Sequence, residues 1–262
     1  MADEERFLLR MRYAKLGRLR FLSHLEVTRA LMRAVRRAGL PYAVSQGFSP
    51  HMKCAFGAAL PVGCCGLDEY LDLQLTRYVE PAEALCALQA ATPELLPVLA
   101  CAYLPADEPA LTAGYPVMEY AALVDASAFG TDEGRGIAGV RQAVEDLHAQ
   151  GEVHVVKKGR PKSVPLEGKL LTGPDVAVPV PRETPDPDTL APATAGTALL
   201  ELAFMTRSDE SGSLRPDALL AELESLAPVD LPVRWLAHVA TYARAAACAD
   251  AAGGLAGEGR PL

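Results

Sequence analysis

Residues 18–63 read RLRFLSHLEVTRALMRAVRRAGLPYAVSQGFSPHMKCAFGAALPVG. Ser23 is followed three residues later by Glu26, a spacing typical of the capping box at a helix N-terminus. Gly39, with Pro41 just beyond it, marks the other end, because glycine often terminates a helix and proline cannot continue it. The pattern predicts a helix from Ser23 to Gly39. Its expected buried face consists of Leu25, Thr28, Leu31, Met32, Val35 and Ala38.

Strand patterns surround this helix. Alternation of apolar and polar residues from Phe7 to Arg12 predicts a strand before it. After it, strands are predicted around 42–45, resuming at 54–58, and over 69–75. A helix over 81–91 and a strand over 96–104 complete the order β-α-β-β-α-β. This order is that of the ferredoxin-like fold, a four-stranded sheet with two helices on one face.

The second half repeats the same order after a linker at residues 105–114, PADEPALTAG. We therefore predict an α+β protein with two ferredoxin-like (β-α-β-β-α-β) domains in tandem. The first, basic domain spans residues 1–105. The second spans 114–245, contains a Pro-rich excursion at 173–196, and is followed by a flexible tail at 246–262. Its elements are strands at 115–124, 153–157, 197–206 and 233–243, and helices at 136–150 and 213–226, the last capped by Ser213.

Composition narrows the class of protein. No apolar run reaches the roughly 18–20 residues of a membrane span, and the N-terminus MADEERFLLRMRY lacks the apolar core of a secretory signal. The six cysteines form no C-x-x-C pair and no zinc-finger spacing. The sequence therefore predicts a cytoplasmic protein without a membrane segment, and with no metal site and no cofactor in this chain.

The charge is unevenly distributed. Residues 1–53 carry 11 Lys/Arg and 4 Asp/Glu, a net charge of +7. The whole chain carries 25 Lys/Arg and 33 Asp/Glu, a net of −8, so the remaining residues carry −15. A basic segment on an acidic protein indicates a local anion-binding patch.

Arginines form one side of the predicted helix. Arg29, Arg33, Arg36 and Arg37 are spaced i, i+4, i+7 and i+8, and Glu26 is the one acidic residue of this helix. The planar guanidinium fork suits phosphate, so the pattern favours RNA binding over a merely solvated face. The flanking segments add Arg10, Arg12, Lys15, Arg18, Arg20 and Lys53.

The loop at residues 46–53, QGFSPHMK, is a second candidate element. Phe48 could stack on a base, His51 could bond a phosphate or shuttle a proton, and Lys53 could pair with an anion. The alternative is that Phe48 belongs to the core and His51 caps a turn. A third, weaker element is KKGRPK at 157–162, where Lys157, Lys158 and Arg160 either contact a nucleic-acid backbone or form a solubilising turn.

His24 lies at the start of the predicted helix, where the helix dipole disfavours a cation. A neutral imidazole there suits hydrogen bonding or proton transfer. Together with His51 it could form an acid/base pair for RNA cleavage. The alternative is that His24 packs or caps the helix.

Residues 19–63, followed by EYLDLQL at 69–75, resemble a family of uncharacterised bacterial radical-SAM-linked proteins. GSLRP at 212–216 and KKGRPK look similar to features of the same family. Its members usually read SQGFNPHPK, where this chain has Ser49 and Met52. The resemblance implies a radical-SAM enzyme as partner, and with it RNA or ribosome modification.

Three hypotheses remain open at this point. The preferred one is an RNA-binding accessory module that works with a radical-SAM enzyme. The second is a metal-independent RNA-processing enzyme that uses His24 and His51. The third is a protein–protein adaptor whose arginines dock an acidic partner.

Overall fold

The computed structural model describes residues 7–105, 107–125, 129, 133–157, 159–177, 199–209, 212–228, 230–231 and 233–242. The first half contains β1 (Phe7–Lys15), a 3₁₀ turn (Gly17–Phe21), α1 (His24–Arg37), β2 (Cys54–Phe56), β3 (Cys64–Leu75), α2 (Pro81–Ala91) and β4 (Val98–Tyr103). The second half contains α3 (Leu111–Gly114), β5 (Val117–Asp125), α4 (Glu133–Gln150), β6 (Glu152–Lys157), β7 (Arg160–Pro165), β8 (Leu170–Ala177), β9 (Leu199–Asp209), β10 (Gly212–Ser213), α5 (Pro216–Leu226) and β11 (Val233–Tyr242).

One mixed sheet joins the two halves. Its strands lie in the order β10-β9-β5-β11-β3-β1-β4, with β2 also beside β3 and β8 also beside β9. β11 pairs with β3 in parallel over Leu236–His238, and β6 and β7 form a separate hairpin. The α+β class is confirmed. The tandem of two ferredoxin-like domains is not confirmed, because strands of both halves share this sheet, and the predicted boundaries stay a prediction.

The predicted order of elements is present in the first half. β1 pairs antiparallel with β3 and β4, and β2 pairs antiparallel with β3. The predicted strand at 42–45 is wrong, since Tyr42 and Val44 make isolated bridges to Leu75 and Met52. The chain leaves the sheet after these bridges and returns to it in β2.

Helix α1 begins as the sequence predicts. The Ser23 hydroxyl accepts a hydrogen bond from the Glu26 backbone, and the Glu26 carboxylate accepts one from the Ser23 backbone at 2.8 Å. The buried residues are Val27, Leu31, Ala34 and Val35. The prediction of a buried Leu25 is wrong: the side chain is 55% exposed, because two residues turn a helix by about 200° and Leu25 therefore points away from Val27.

The second half departs further from the sequence predictions. Ser213 does not cap a helix but lies in β10, opposite Ser208, and α5 begins at Pro216 after Arg215. Residues 173–177, predicted as the start of an irregular excursion, belong to β8. Residues 178–196 and 246–262 lie outside the described residues. Within the described part of the chain, no helix has the length and apolar character needed to span a membrane.

The two largest apolar cores among the described residues flank a polar region of the sheet. One core packs α1 and α2 on β1, β3 and β4, and the other packs α4 and α5 on β5, β9 and β11. Between them, where β1, β3 and β11 meet, the buried side chains include Lys15, Asp68, Glu69 and His238. This region and the outer face of α1 hold the candidate functional residues.

Candidate anion-binding surface and buried polar cluster

Three arginines lie side by side on the outer face of α1. Arg29, Arg33 and Arg36, called here the arginine row, are all exposed. None of the ion pairs among the described residues involves them. The row spans about 10 Å along the helix axis, at roughly 1.5 Å per residue. It presents three guanidiniums to an external anion.

The other predicted cations at this end of the chain differ in their surroundings. Arg37 is exposed, but its guanidinium donates to the carbonyl of Ala91 and so ties α1 to the end of α2. Arg18 is exposed in the 3₁₀ turn. Arg20 is half-buried, and its guanidinium lies 4.8 Å from the centre of the Phe21 ring.

Arg10, Arg12 and Lys15, expected to extend the basic surface, do not belong to it. The Arg10 side chain is fully buried and bonds both Asp72 oxygens, at 2.6 and 2.8 Å. Arg12 bonds Asp68 at 2.6 Å, and Lys15 is 3% exposed. The reason is the position of β1 between β3 and β4, which places these cations against the carboxylates of β3.

The loop that precedes β2 is exposed from Gln46 to His51. Phe48 is fully exposed, so the alternative that it belongs to the core is wrong. His51 is exposed too, yet its Nδ1 shares a 2.8 Å hydrogen bond with the Ser45 hydroxyl, which also accepts from the His51 backbone. This bond closes the loop. Lys53 is exposed at its end, with its backbone nitrogen paired to Ala43.

His24 lies apart from that loop. Its ring is exposed and packs edge-on against Phe56, with 5.5 Å between the ring centres. It lines a pocket together with Tyr13, Lys15, Val27, Leu60 and Glu69. No contact or pocket among the described residues joins His24 to His51, and the cleavage role of this pair stays a prediction.

The KKGRPK segment is the tip of the β6–β7 hairpin. Lys157 pairs with Arg160 across the two strands, and Gly159 adopts a positive φ of 73° in the turn between them. Arg160 is exposed. Lys158 lies outside the described residues.

The sequence predictions do not include a buried polar cluster that links the two halves of the chain. His238 Nδ1 bonds Glu69, and its Nε2 bonds the carbonyl of Ala240 at 2.9 Å. Asp68, fully buried, accepts from the Tyr70 hydroxyl and from the backbone of Thr241, at 2.8 and 2.9 Å. A signal was available, since β1 carries three cations and β3 carries three carboxylates, a complementarity that fits two neighbouring strands.

Burial and neighbouring charges shift the pKa values in this cluster. Burial lowers the pKa of Lys15, and Cys64, Glu69 and Cys65 oppose this without cancelling it. Burial also lowers the pKa of His238, but the negative charge of Glu69 and its hydrogen bond outweigh burial, so that pKa is raised. Among the described residues, no three His, Cys, Asp or Glu side chains are grouped so as to hold a metal ion.

Comparisons with known proteins bear on the family of the chain. Residues 8–170 match the model of a family described as an uncharacterized protein conserved in bacteria (DUF2344). That description names neither an activity nor a radical-SAM enzyme. No curated protein matches the chain. A crystal structure of an unknown protein from Galdieria sulphuraria aligns over 85% of this chain and 90% of that protein's chain, with 12% sequence identity. Its TM-score of 0.25 supports no structural argument.

Proposed function

We propose an RNA-binding role for this chain, which belongs to the family of uncharacterized bacterial proteins matched by residues 8–170. The contact surface is the arginine row of α1 together with the exposed loop at 46–53. The chain would act as an accessory module that holds RNA. The family description gives no activity. The support for this role therefore comes from the sequence and geometry of the chain itself.

The arginine row is the observation that carries this proposal. Arg10 and Arg12 each form an ion pair with a carboxylate, whereas the three guanidiniums of the row face solvent and form no ion pair among the described residues. Ion pairs inside the protein therefore leave these three charges available. Guanidinium forks bind phosphate oxygens bidentately, and such contacts give affinity that does not depend on base sequence.

The loop adds features suited to single-stranded RNA. Phe48 is fully exposed on a loop closed by the hydrogen bonds between Ser45 and His51. An exposed ring offers a surface on which an unpaired base can stack. His51 and Lys53, both exposed, supply donors for the neighbouring phosphates.

The proposal also includes an enzyme with which this module works. The resemblance of residues 19–63 to radical-SAM-linked proteins is what favours a radical-SAM enzyme acting on RNA or the ribosome. In this arrangement the present chain holds the substrate and the partner supplies the chemistry. The alternative is an adaptor whose arginine row docks an acidic protein directly.

A binding measurement with a matched control tests the role. Fluorescence anisotropy would compare a labelled single-stranded RNA and an RNA hairpin on the full chain. The triple variant Arg29→Ala/Arg33→Ala/Arg36→Ala is expected to lose at least about tenfold in affinity, because three phosphate contacts disappear. The control Arg77→Ala/Arg135→Ala/Arg141→Ala removes three exposed charges outside the candidate RNA-binding elements and should change affinity much less.

The same measurement separates the alternatives. Equal loss in the two triple variants would mean that net charge alone attracts RNA, and would contradict a dedicated surface. Absence of RNA binding by the unmodified chain would contradict the role altogether. In that case, nuclease-resistant capture of an acidic protein that depends on the arginine row would favour the adaptor.

A further inference from the structure

A small pocket opens beside the first turn of α1. Its walls come from β1, β3, α1 and the segment before β3, and the lining residues are Tyr13, Lys15, His24, Val27, Leu60 and Glu69. His24 is exposed at its mouth, whereas Tyr13 and Lys15 are buried at 4% and 3% exposure. The arginine row and the loop at 46–53 do not line it.

Lys15 is an unusual group in such a position. An ammonium has three N–H donors. Among the described residues this one has a single hydrogen-bond partner, the carbonyl of Arg20, at the long distance of 3.5 Å. Burying a charge is costly unless it is paired and hydrogen-bonded. The donors of Lys15 are therefore largely unsatisfied by the protein, in a side chain that lines the pocket.

The neighbouring carboxylate does not satisfy them. Glu69 accepts its hydrogen bond from His238. The imidazole of His238, whose pKa is raised, offsets the charge of Glu69. The remaining groups at the pocket are donors: the Lys15 ammonium, the Tyr13 hydroxyl and one N–H of His24. A pocket with three donors, one of them a buried ammonium, fits an anionic oxygen.

We propose that this pocket binds one oxygen of a phosphate group, with Lys15 as the charge partner and Tyr13 and His24 as hydrogen-bond donors. The pocket has room for about one water-sized group, so a single oxygen enters while the rest of the phosphate stays at the mouth. A free phosphate and a phosphate of bound RNA offer the same chemistry. The pocket therefore does not depend on the RNA-binding role.

Thermal unfolding with inorganic phosphate as the probe tests this site. At constant ionic strength set with chloride, phosphate should raise the Tm of the full chain progressively with its concentration c, because a ligand of the folded state stabilises it by RT ln(1 + c/Kd). Lys15→Met should abolish that rise. Lys162→Met, which removes an exposed lysine on β7, should keep it. A Tm that ignores phosphate in the unmodified chain, or a Lys15→Met variant that responds like it, overturns the proposal.

A second variant keeps the test informative if Lys15→Met fails to fold. Tyr13→Phe removes one hydroxyl and retains the ring. The phosphate concentration needed for a given Tm rise should increase by at least about threefold, the effect of losing one hydrogen bond. An unchanged concentration dependence in a folded Tyr13→Phe protein also contradicts the site.

Binding of labelled RNA in the presence of inorganic phosphate separates the two sources. If a phosphate of RNA fills the pocket, Lys15→Met lowers RNA affinity, and inorganic phosphate competes more strongly than chloride. If free phosphate fills it, RNA affinity is unchanged in Lys15→Met while the Tm response is lost. The arginine-row variants leave the pocket intact, so they should keep the Tm response to phosphate. A Tm response without RNA binding would contradict only the RNA-binding role, and RNA binding without a Tm response would contradict only the phosphate pocket.

Discussion

His238 on β11 donates a hydrogen bond from Nδ1 to the carboxylate of Glu69 on β3, across 169 residues of sequence. Both side chains are buried, at 1% and 7% exposure. The bond lies at the parallel pairing of β3 and β11, where His238 is opposite Gly66. It therefore joins the two halves of the chain at the point where their strands meet.

Loss of this pair should destabilise the protein strongly. His238→Ala leaves the buried carboxylate of Glu69 without its partner, and removal of one member of a buried ion pair costs about 3–5 kcal/mol. Urea unfolding gives the free energy. As a control, His154→Ala removes an exposed imidazole that bonds Glu222 on α5, and a smaller change is expected. A His238→Ala variant as stable as the control would contradict the joining role of the pair.

Stability should also depend on pH through His238. Its pKa is raised in the folded protein, because the charge and hydrogen bond of Glu69 outweigh burial. A raised folded pKa means that the folded state binds the proton more tightly than the unfolded chain. The contribution is therefore complete below roughly pH 6.5, the ordinary imidazole value, and is lost as pH rises through the folded pKa.

Urea unfolding at a series of pH values measures this loss. The free energy of unfolding of the unmodified chain should fall on the alkaline side of the ordinary imidazole pKa. Glu69→Gln removes the charge that raises the pKa of His238, so the fall should flatten. An equally steep fall in both proteins would assign the pH dependence to another group.

The buried pair of Arg10 and Asp72 makes a separate prediction. Arg10 is fully buried and binds both oxygens of Asp72, with Glu108 at 3.0 Å. Arg10→Met leaves buried carboxylate charge and should cost about 3–5 kcal/mol in urea unfolding. The double variant Arg10→Met/Asp72→Leu should recover much of that loss, because an apolar pair of similar volume replaces the ions. A double variant less stable than Arg10→Met would contradict this account.

Phe48 should matter for RNA and not for stability. The ring is fully exposed, so Phe48→Ala is expected to leave the Tm unchanged. Affinity for single-stranded RNA should fall by about 1–3 kcal/mol, the contribution of one stacked base, with a smaller change for duplex RNA. Val156→Ala, which truncates an exposed apolar residue on β6, is the control. Equal losses for single-stranded and duplex RNA would argue against stacking.

Local signals in the sequence predicted the first half well. The capping box at Ser23, the glycine after α1 and the apolar spacing of β1 each depend on neighbours within a few residues. The exposure of Arg29, Arg33 and Arg36 follows from helical periodicity in the same way. The error at Leu25 arises because the centre of the observed buried stripe lies roughly 60° around the helix from the predicted centre, at about 100° per residue, although Leu31 and Val35 belong to both stripes.

Long-range pairing explains what the sequence could not give. The parallel contact of β3 with β11 joins residues about 170 positions apart, and no local pattern specifies it. That pairing merges the two halves into one sheet and buries Glu69 and His238. Alternation along β3 predicts the strand but not the burial of its carboxylates, since Asp68, Glu69 and Asp72 are all buried.

The salt dependence of RNA binding tests the central claim most directly. The logarithm of the association constant for single-stranded RNA should fall linearly with the logarithm of salt concentration, with a slope of about −0.7 per phosphate contacted. Removing the three arginines of the row should make that slope shallower by about 2, whereas the control Arg77→Ala/Arg135→Ala/Arg141→Ala should keep it. A slope that is unchanged in the arginine-row variant would contradict the proposal that this helix face contacts the RNA backbone.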